Sequence, residues 1–161
     1  MTEFRKIYEE YAGAVYRFLL SLTGSEDMAE ELLSETFYQA LRHIDSFEGR
    51  CSIYTWLCQI AKNAYLKECK RKRRYIRLEP DAFRNKAADS SMEERAEDRE
   101  MYLEAVKAVS RLTEPYREVF ILHALGGVRL KEIAEMHGRS ESWARVTYFR
   151  ARQMIAKEIT E

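Results

Sequence analysis

The chain has 161 residues, 46% of them hydrophobic and 34% charged, and its 27 basic and 27 acidic side chains leave no formal net charge. This balance suits a soluble folded chain of one domain or two small ones and gives no bulk attraction to nucleic acid or membranes. No apolar run approaches the roughly 20 residues that span a bilayer, and Met1-Thr2-Glu3 does not open a signal peptide, so a cytoplasmic location is expected.

Phe4, Ile7, Tyr8, Tyr11, Val15, Phe18, Leu19 and Leu22 recur at three and four residues, which predicts a first helix closed by Thr23-Gly24. Ser25 is placed to cap a second helix, with Glu26 and Asp27 in its first turn where the dipole favours them. The predicted buried stripe of this helix is Met28, Ala29, Leu32, Leu33, Thr36, Phe37, Ala40 and Leu41. Glu30, Glu31, Ser34, Glu35 and Gln39 form its outer face, an acidic ridge that, taken alone, is a solvated surface. A connection from Ile44 to Cys51 turns at Gly49, and Ser52 can cap a third long helix packed through Ile53, Trp56, Leu57, Ile60, Ala64 and Tyr65.

Charge is distributed in blocks. Ten acidic residues face five basic ones from Met1 to Arg50, a balance of −5. Eight basic residues face Glu68 alone from Lys62 to Arg77 (+7), and nine acidic residues face four basic ones from Glu79 to Glu104 (−5). The alternation suggests separate surfaces for separate partners. Aromatic residues on the same helix as a one-sided basic run favour single-stranded or distorted nucleic acid.

Periodicity fails from Leu78 to Ser91, where Pro80, Asn85, an alanine pair and Asp89-Ser90-Ser91 read as a linker. Ser91-Met92-Glu93-Glu94 fits a capping box for a helix packed through Met101, Ala105, Val106, Val109 and Leu112. Thr113-Glu114-Pro115 predicts a further helix with proline in its first turn, continued by Tyr116, Val119, Phe120, Leu122 and His123 to Gly126-Gly127. From Leu130 to Arg152 the pattern is helix, sharp turn, helix. Leu130, Ile133 and Ala134 stripe the first helix; Gly138 can supply the positive φ of its end; Ser140 caps the second. On that second helix Ala144, Tyr148, Ala151 and Ile155 make the inner stripe. Ser142, Arg145, Val146, Phe149 and Gln153, with Arg150 beside them, make an outer face fit for a major groove: Arg for guanine or phosphate, Val for a thymine methyl. A plain helical hairpin gives the same spacing, and the stretch alone does not separate the two readings. No segment reads as a strand. The fold class is therefore all-α, two small helical domains joined by a linker, the C-terminal one a helix-turn-helix domain, with expected bounds 1–77, 78–91 and 92–161.

Cys51, Cys58 and Cys69 are odd in number. Placed on one helix they would lie roughly 10 and 16 Å apart, too far for a disulfide or a shared metal. His43, His123 and His137 are scattered, so no metal and no cofactor is expected. Clustered carboxylates with a histidine or a nucleophile with a base are also missing from the pattern, which argues against an enzyme or a small-molecule substrate.

Taken together these segments resemble an extracytoplasmic-function (ECF) sigma factor, the promoter-recognition subunit of bacterial RNA polymerase. The resemblance covers nearly the whole chain. It rests on Asp27-Met28-Ala29-Glu30-Glu31-Leu32-Leu33-Ser34-Glu35-Thr36-Phe37, on Phe47-Glu48-Gly49 and on Tyr54-Thr55-Trp56-Leu57-Cys58-Gln59-Ile60-Ala61-Lys62-Asn63. In the second half it rests on Leu112 to Pro115, Glu118-Val119-Phe120, Glu132-Ile133-Ala134 and Arg150-Ala151-Arg152.

The resemblance implies roles. Asp27, Glu31, Leu32, Ser34 and Glu35 match the part of such factors that docks on the clamp coiled coil of the polymerase largest subunit; a further contact to the flap region is implied. Phe47, Gly49, Arg50, Ser52, Tyr54, Trp56, Lys62, Asn63, Lys70, Arg71, Arg73 and Arg74 match the part that opens the −10 element, where a base leaves the stack for a protein pocket. Arg129, Lys131, Ser140, Ser142, Arg145, Val146, Phe149 and Arg150 would read the −35 element as duplex. Implied partners are core polymerase, promoter DNA and an anti-sigma factor, often membrane-bound in the family. Ser34 stands where many relatives have Gln, Arg129 where they have a Ser or Thr cap, and Trp143 and Thr147 where a small and a basic residue are common. The alternative function, a polymerase-independent helix-turn-helix regulator, needs only the second half and leaves the Trp56 helix and the acidic ridge unexplained.

Overall fold

The structure, a computed structural model, describes residues 2–78 and 93–160, apart from the side chains of residues 2, 73–78, 93–96 and 99. The expected linker beyond Leu78 and the serine of the capping box at Ser91 lie outside the described residues. Seven α-helices are described: α1 Thr2–Thr23, α2 Glu26–His43, α3 Ile53–Leu78, α4 Glu93–Arg111, α5 Tyr116–Phe120, α6 Leu130–Met136 and α7 Glu141–Thr160. A 3₁₀ turn, Ile44–Ser46, follows α2, and α5 widens into a π-helical turn, Ile121–Leu125. Among the described residues there is no strand.

The starts of three helices follow the sequence. The Ser25 hydroxyl accepts from the Met28 N–H (3.3 Å), Ser52 from Thr55 N–H (3.1 Å) and Ser140 from Trp143 N–H (3.1 Å). Each satisfies a backbone donor that the helix itself leaves open. Gly24 ends α1 with φ 64°, and a Cβ there would meet the Tyr102 ring at 2.9 Å, so glycine serves both the turn and the close approach of α4. Pro115 is a correction of one position: it stands just before α5 as its cap residue rather than inside the first turn.

Helices α1, α2 and α3 pack on one another, and α7 packs on α4, α5 and α6. The two groups share one hydrophobic core. Val15, Phe18, Leu19 and Leu22 of α1, Ala29, Leu32, Phe37 and Ala40 of α2, and Leu57, Cys58, Ala61 and Tyr65 of α3 are continuous with Ala108, Val109, Leu112, Val119, Ile121, Leu122, Val128, Ile133 and Ile155 of the C-terminal half. Leu41 departs from its expected place in the α2 stripe and is 44% exposed. At about 100° per residue, position 41 lies roughly 100° around the helix from the buried Ala40, off the centre of the stripe.

Polar contacts cross the same seam. The Tyr102 hydroxyl donates to Leu20 O (3.3 Å), and the Tyr54 hydroxyl donates to Gly126 O (2.7 Å). Ser52 N–H donates to Glu132 Oε1 (2.7 Å). Lys62 Nζ meets Glu118 Oε1 at 2.6 Å with side chains only 5% and 16% exposed, and the other oxygen of Glu118 lies 2.8 Å from His137 Nε2. Burial alone would push the Glu118 carboxyl up, but Lys62 foremost, then His137 and Gln59, outweigh burial and hold it below its ordinary value.

Two outcomes follow from this packing. Phe18, 1% exposed, would stand 3.4 Å from a Cβ at Gly126 and so reaches both halves. Phe18→Ala should therefore lower stability by about 3–5 kcal/mol in urea denaturation, with both halves losing stability together; loss confined to the N-terminal helices would contradict a shared core. The depressed Glu118 carboxyl contributes stability above its unfolded pKa and loses that contribution as pH falls through the folded one. The gap in Tm between the native chain and Glu118→Gln should thus be widest above about pH 5 and shrink below about pH 4. A gap that stays constant into stronger acid would show that the Glu118 charge carries none of it.

Candidate functional site

Three surfaces gather the residues that the sequence singles out. The first lies on α2. Asp27, Glu30, Glu31, Ser34 and Glu35 are exposed along one side, and Gln39 Nε2 donates to Glu35 Oε1 at 2.9 Å. Leu32, expected among them, points the other way and is 6% exposed, so it supports the ridge from the core. Tyr38 (55% exposed) continues the ridge one turn past Ser34 and Glu35 and was missed by the sequence reading. Its spacing of three and four residues from Glu35 and Ser34 was the available signal. With Leu41 beside it and the Arg42 guanidinium 5.8 Å from its ring, the ridge is an acidic strip ending in an apolar patch.

The second surface surrounds the start of α3. The Phe47 ring lies 5.0 Å from Trp56, tilted by 41°, which anchors the connection on the helix. Gly49 and Arg50 are exposed at its tip, with Arg50 Nε 2.9 Å from Glu48 Oε2. Ser52 caps α3 and gives its N–H to Glu132. Tyr54 is half-buried; burial first, then the Cys58 side chain, pushes its phenol up. Burial pushes the Cys58 thiol up to about 12, so it stays a packed, protonated thiol.

The basic run is not one uniform face. Asn63, Lys67, Lys70 and Arg71 are exposed, and Arg71 grips Glu68 at 2.6 Å. The hydrogen bonds from Arg71 hold the Glu68 carboxyl below its ordinary value. Lys62, expected to meet DNA, is instead buried against Glu118. The side chains of Arg73 and Arg74 lie outside the described residues. Local spacing places Lys62 on α3, but the carboxylate that claims it is 56 residues away in sequence.

The third surface is the helix-turn-helix. Helix α6 ends in a Schellman motif: Arg139 N–H donates to Ala134 O (2.9 Å), Gly138 N–H donates to Glu135 O (3.1 Å), and Gly138 has φ 64°. Arg129 holds the cap position of α6 in extended backbone without a side-chain capping bond, so α6 begins where a Ser or Thr cap would have placed it. Trp143 lies 5.2 Å from the His137 ring, with the Arg139 guanidinium 5.7 Å from its own, and so braces the turn. Phe120 stacks on Tyr148 at 5.8 Å, and the His123 ring meets Tyr148 edge-on at 4.6 Å, which seats α7 on α5 and the π-helical turn.

These contacts fix what α7 shows to solvent. Ala144, Thr147, Ala151 and Ile155 are buried. Thr147 is thus a core residue, and its departure from a basic residue does not alter the outer face. Ser142, Arg145, Val146, Phe149, Arg150 and Gln153 are exposed, as are Arg129, Lys131 and Ser140 of the preceding segment. Phe149 is 59% and Val146 47% exposed, three residues apart among cations. Arg145 NH2 lies 2.9 Å from Glu141 Oε1. An apolar pair flanked by guanidinium groups on an exposed helix face suits thymine methyls and phosphates in a major groove.

Among the described residues no group of histidine, cysteine and carboxylate could hold a metal ion, and no described helix is long and apolar enough to cross a membrane. Comparison with known proteins agrees with the two halves. Family models for Sigma-70 region 2 and for Sigma-70, region 4 match residues 7–75 and 102–155. The chain is similar to the ECF RNA polymerase sigma factor SigM of Bacillus subtilis (strain 168), at 31% identity over 150 residues, covering 93% of this chain and 91% of that one. It is also similar to the ECF RNA polymerase sigma factor BldN of Streptomyces coelicolor, at 32% identity over 162 residues, covering 96% of this chain and 59% of that one. In fold it is similar to the sigma factor RpoE, solved with the anti-sigma factor NepR from Bartonella quintana, with a TM-score of 0.62 at 22% identity over 99% of this chain and 98% of that one. With a region 2 unit, a region 4 helix-turn-helix and a relative matched almost end to end, the chain belongs to the extracytoplasmic-function (ECF) sigma factors.

Proposed function

We propose that this protein binds core RNA polymerase, reads the −35 element as duplex through α7 and opens the −10 element through the Phe47–Ser52 connection and α3. The observation that carries the reading is the exposed face of α7, Arg145, Val146, Phe149 and Arg150, in one chain with a region 2 unit. A duplex reader alone explains a repressor; a duplex reader joined to region 2 calls for a polymerase. The functional units are residues 1–77 and 92–161, with 78–91 between them. The chain performs no catalysis itself, works in the cytoplasm and takes an anti-sigma factor as its regulator; RpoE was solved in complex with one, NepR.

Physical chemistry assigns the parts. The α2 ridge offers carboxylates for charge-assisted bonds to arginines of the polymerase clamp coiled coil. Tyr38 and Leu41 extend that contact with apolar area, and the flap region takes the C-terminal unit. The Phe47–Trp56 pair and the exposed Gly49 and Arg50 provide a stacking surface and a cation where a base leaves the duplex. Transcription by core polymerase with and without this protein, followed by start-site mapping, tests the whole reading. Tight sequence-specific binding in a gel shift without polymerase would favour the regulator instead.

Replacing Glu31 and Glu35 together by Lys should weaken polymerase association at least tenfold while leaving helix content unchanged, because both side chains are exposed. Undiminished binding by the folded double variant would remove the ridge from the interface.

The two DNA surfaces should fail differently. Arg145→Ala should cost about 1–3 kcal/mol in promoter binding and relax discrimination at one −35 position. Substitutions in the Phe47–Ser52 connection should spare initial binding and impair opening. A template with a mismatched, pre-melted −10 region should rescue the connection variants and not Arg145→Ala, since the unpairing cost is already met. Permanganate footprinting of unpaired thymines on both templates reads the difference; equal rescue would show that the division into duplex reader and strand opener is wrong.

A further inference from the structure

Two pockets of opposite character adjoin where α4 and α5 face α3. The first, about 290 Å³, is lined by Leu66, Lys67, Cys69 and Lys70 of α3, by Ser110 of α4 and by Arg117 of α5. Three of its six described lining residues are cations and none is a carboxylate. The second is about 150 Å³, and Leu22, Tyr65, Val106, Val109, Phe120 and Ile155 supply much of its wall. Ser110 borders both pockets, and on α3 the neighbours Tyr65 and Leu66 line one each. We propose that the pair forms one site for a single-chain amphiphile with an anionic head, of the size of a medium-chain carboxylate. The head sits among Lys67, Lys70 and Arg117, and the chain passes Ser110 into the apolar cavity.

The second pocket rejects polar ligands because the hydroxyls around it are already bonded to backbone. Ser21 donates to Phe18 O (2.6 Å), Ser110 to Lys107 O (2.8 Å) and Tyr102 to Leu20 O (3.3 Å). A hydrated head placed there would lose its bonds to water without replacement, whereas a hydrocarbon chain has none to lose. A cavity of about 150 Å³ takes a benzene-sized group, about six carbons. The first pocket has the complementary need. Glu114 Oε1 (2.8 Å) and Ser110 O (3.3 Å) fix the Arg117 guanidinium, and Glu114 offsets part of its charge. Lys67 and Lys70, exposed and one turn apart, leave the pocket cationic. Their ammonium groups keep water, so the head adds modest affinity and sets the direction of entry, while the buried chain supplies most of the binding. The cavity is sized for one chain, so the ligand enters as a monomer and not as part of a bilayer.

Octanoate, kept below its micelle concentration, is the probe, titrated into the full chain without polymerase or DNA and followed by methyl NMR. The methyl signals of Val106, Val109 and Ile155 should shift with a single Kd, and those of the exposed Val146 on α7 should stay in place. From butanoate to octanoate each added methylene should tighten binding about fourfold. Lys67→Gln combined with Lys70→Gln should weaken octanoate about tenfold. It should leave octanol, which has the chain without the charge, unchanged. Both lysines are exposed, so this double variant should keep the fold. Ala105→Leu, which adds side-chain carbons to the wall of the apolar cavity, should end the gain per methylene at a shorter chain. Val106 and Ile155 methyls unmoved by octanoate would overturn the site. Octanol binding as tightly as octanoate, with no loss in the lysine variant, would overturn the anionic head. A gain per methylene that is unchanged in folded Ala105→Leu would put the chain elsewhere and overturn the use of the cavity. None of these outcomes bears on the proposed function, because neither DNA nor polymerase is present.

Discussion

A buried lysine must find an anion, and in this molecule Lys62 finds Glu118. Taking an ammonium out of water costs several kcal/mol even after relaxation, and the attraction of the pair offsets this only when geometry and surrounding hydrogen bonds are good. Here the geometry is good: 2.6 Å to one oxygen, with the second oxygen 2.8 Å from His137. One carboxylate thereby fixes α5 against α3 and ties both to the turn between α6 and α7. The apolar contacts of Phe18, Val119, Ile121 and Leu122 supply the bulk of the burial around it. They are non-directional, and the ion pair with its neighbours sets the register in which the two units meet.

The helix-turn-helix was readable because its determinants are local. Ser140 caps within three residues, Gly138 closes a turn within one, and Ala144, Ala151 and Ile155 repeat on a single helix. The exposed face of α7 follows from the same repeat, and the structure leaves every residue expected there in solvent. Ser25 and Ser52 were readable for the same reason. Errors arose where the partner is remote in sequence. Spacing put Lys62 in a basic run, and only the fold shows Glu118 opposite. Spacing put Leu41 on the inner stripe, yet it sits at the stripe's edge and is 44% exposed while Ala40 beside it is buried.

Net charge behaves in the same way. A formal balance of zero concealed three blocks of opposite sign, and the blocks in turn concealed how the charges are used. Of the described cations in the run from Lys62 to Lys72, Lys62 is internal and Arg71 grips its neighbour Glu68, while Lys67 and Lys70 face solvent. An electrostatic footprint counted from sequence is therefore larger than the footprint a nucleic acid would meet. The difference matters most for a strand opener, because phosphate attraction acts on every sequence alike.

Reading a duplex and opening one place opposite demands on a surface. A duplex reader gains from being rigid and exposed before DNA arrives, and Phe149 and Val146 can stand in solvent because a small apolar pair costs little there. A strand opener works through aromatic faces and cations that any unpaired strand can stack on, since every base has a π-face. Left open, such a surface binds without regard to sequence. With the roles proposed above, α7 presented and the middle of α3 engaged by the other unit would meet both demands within one chain.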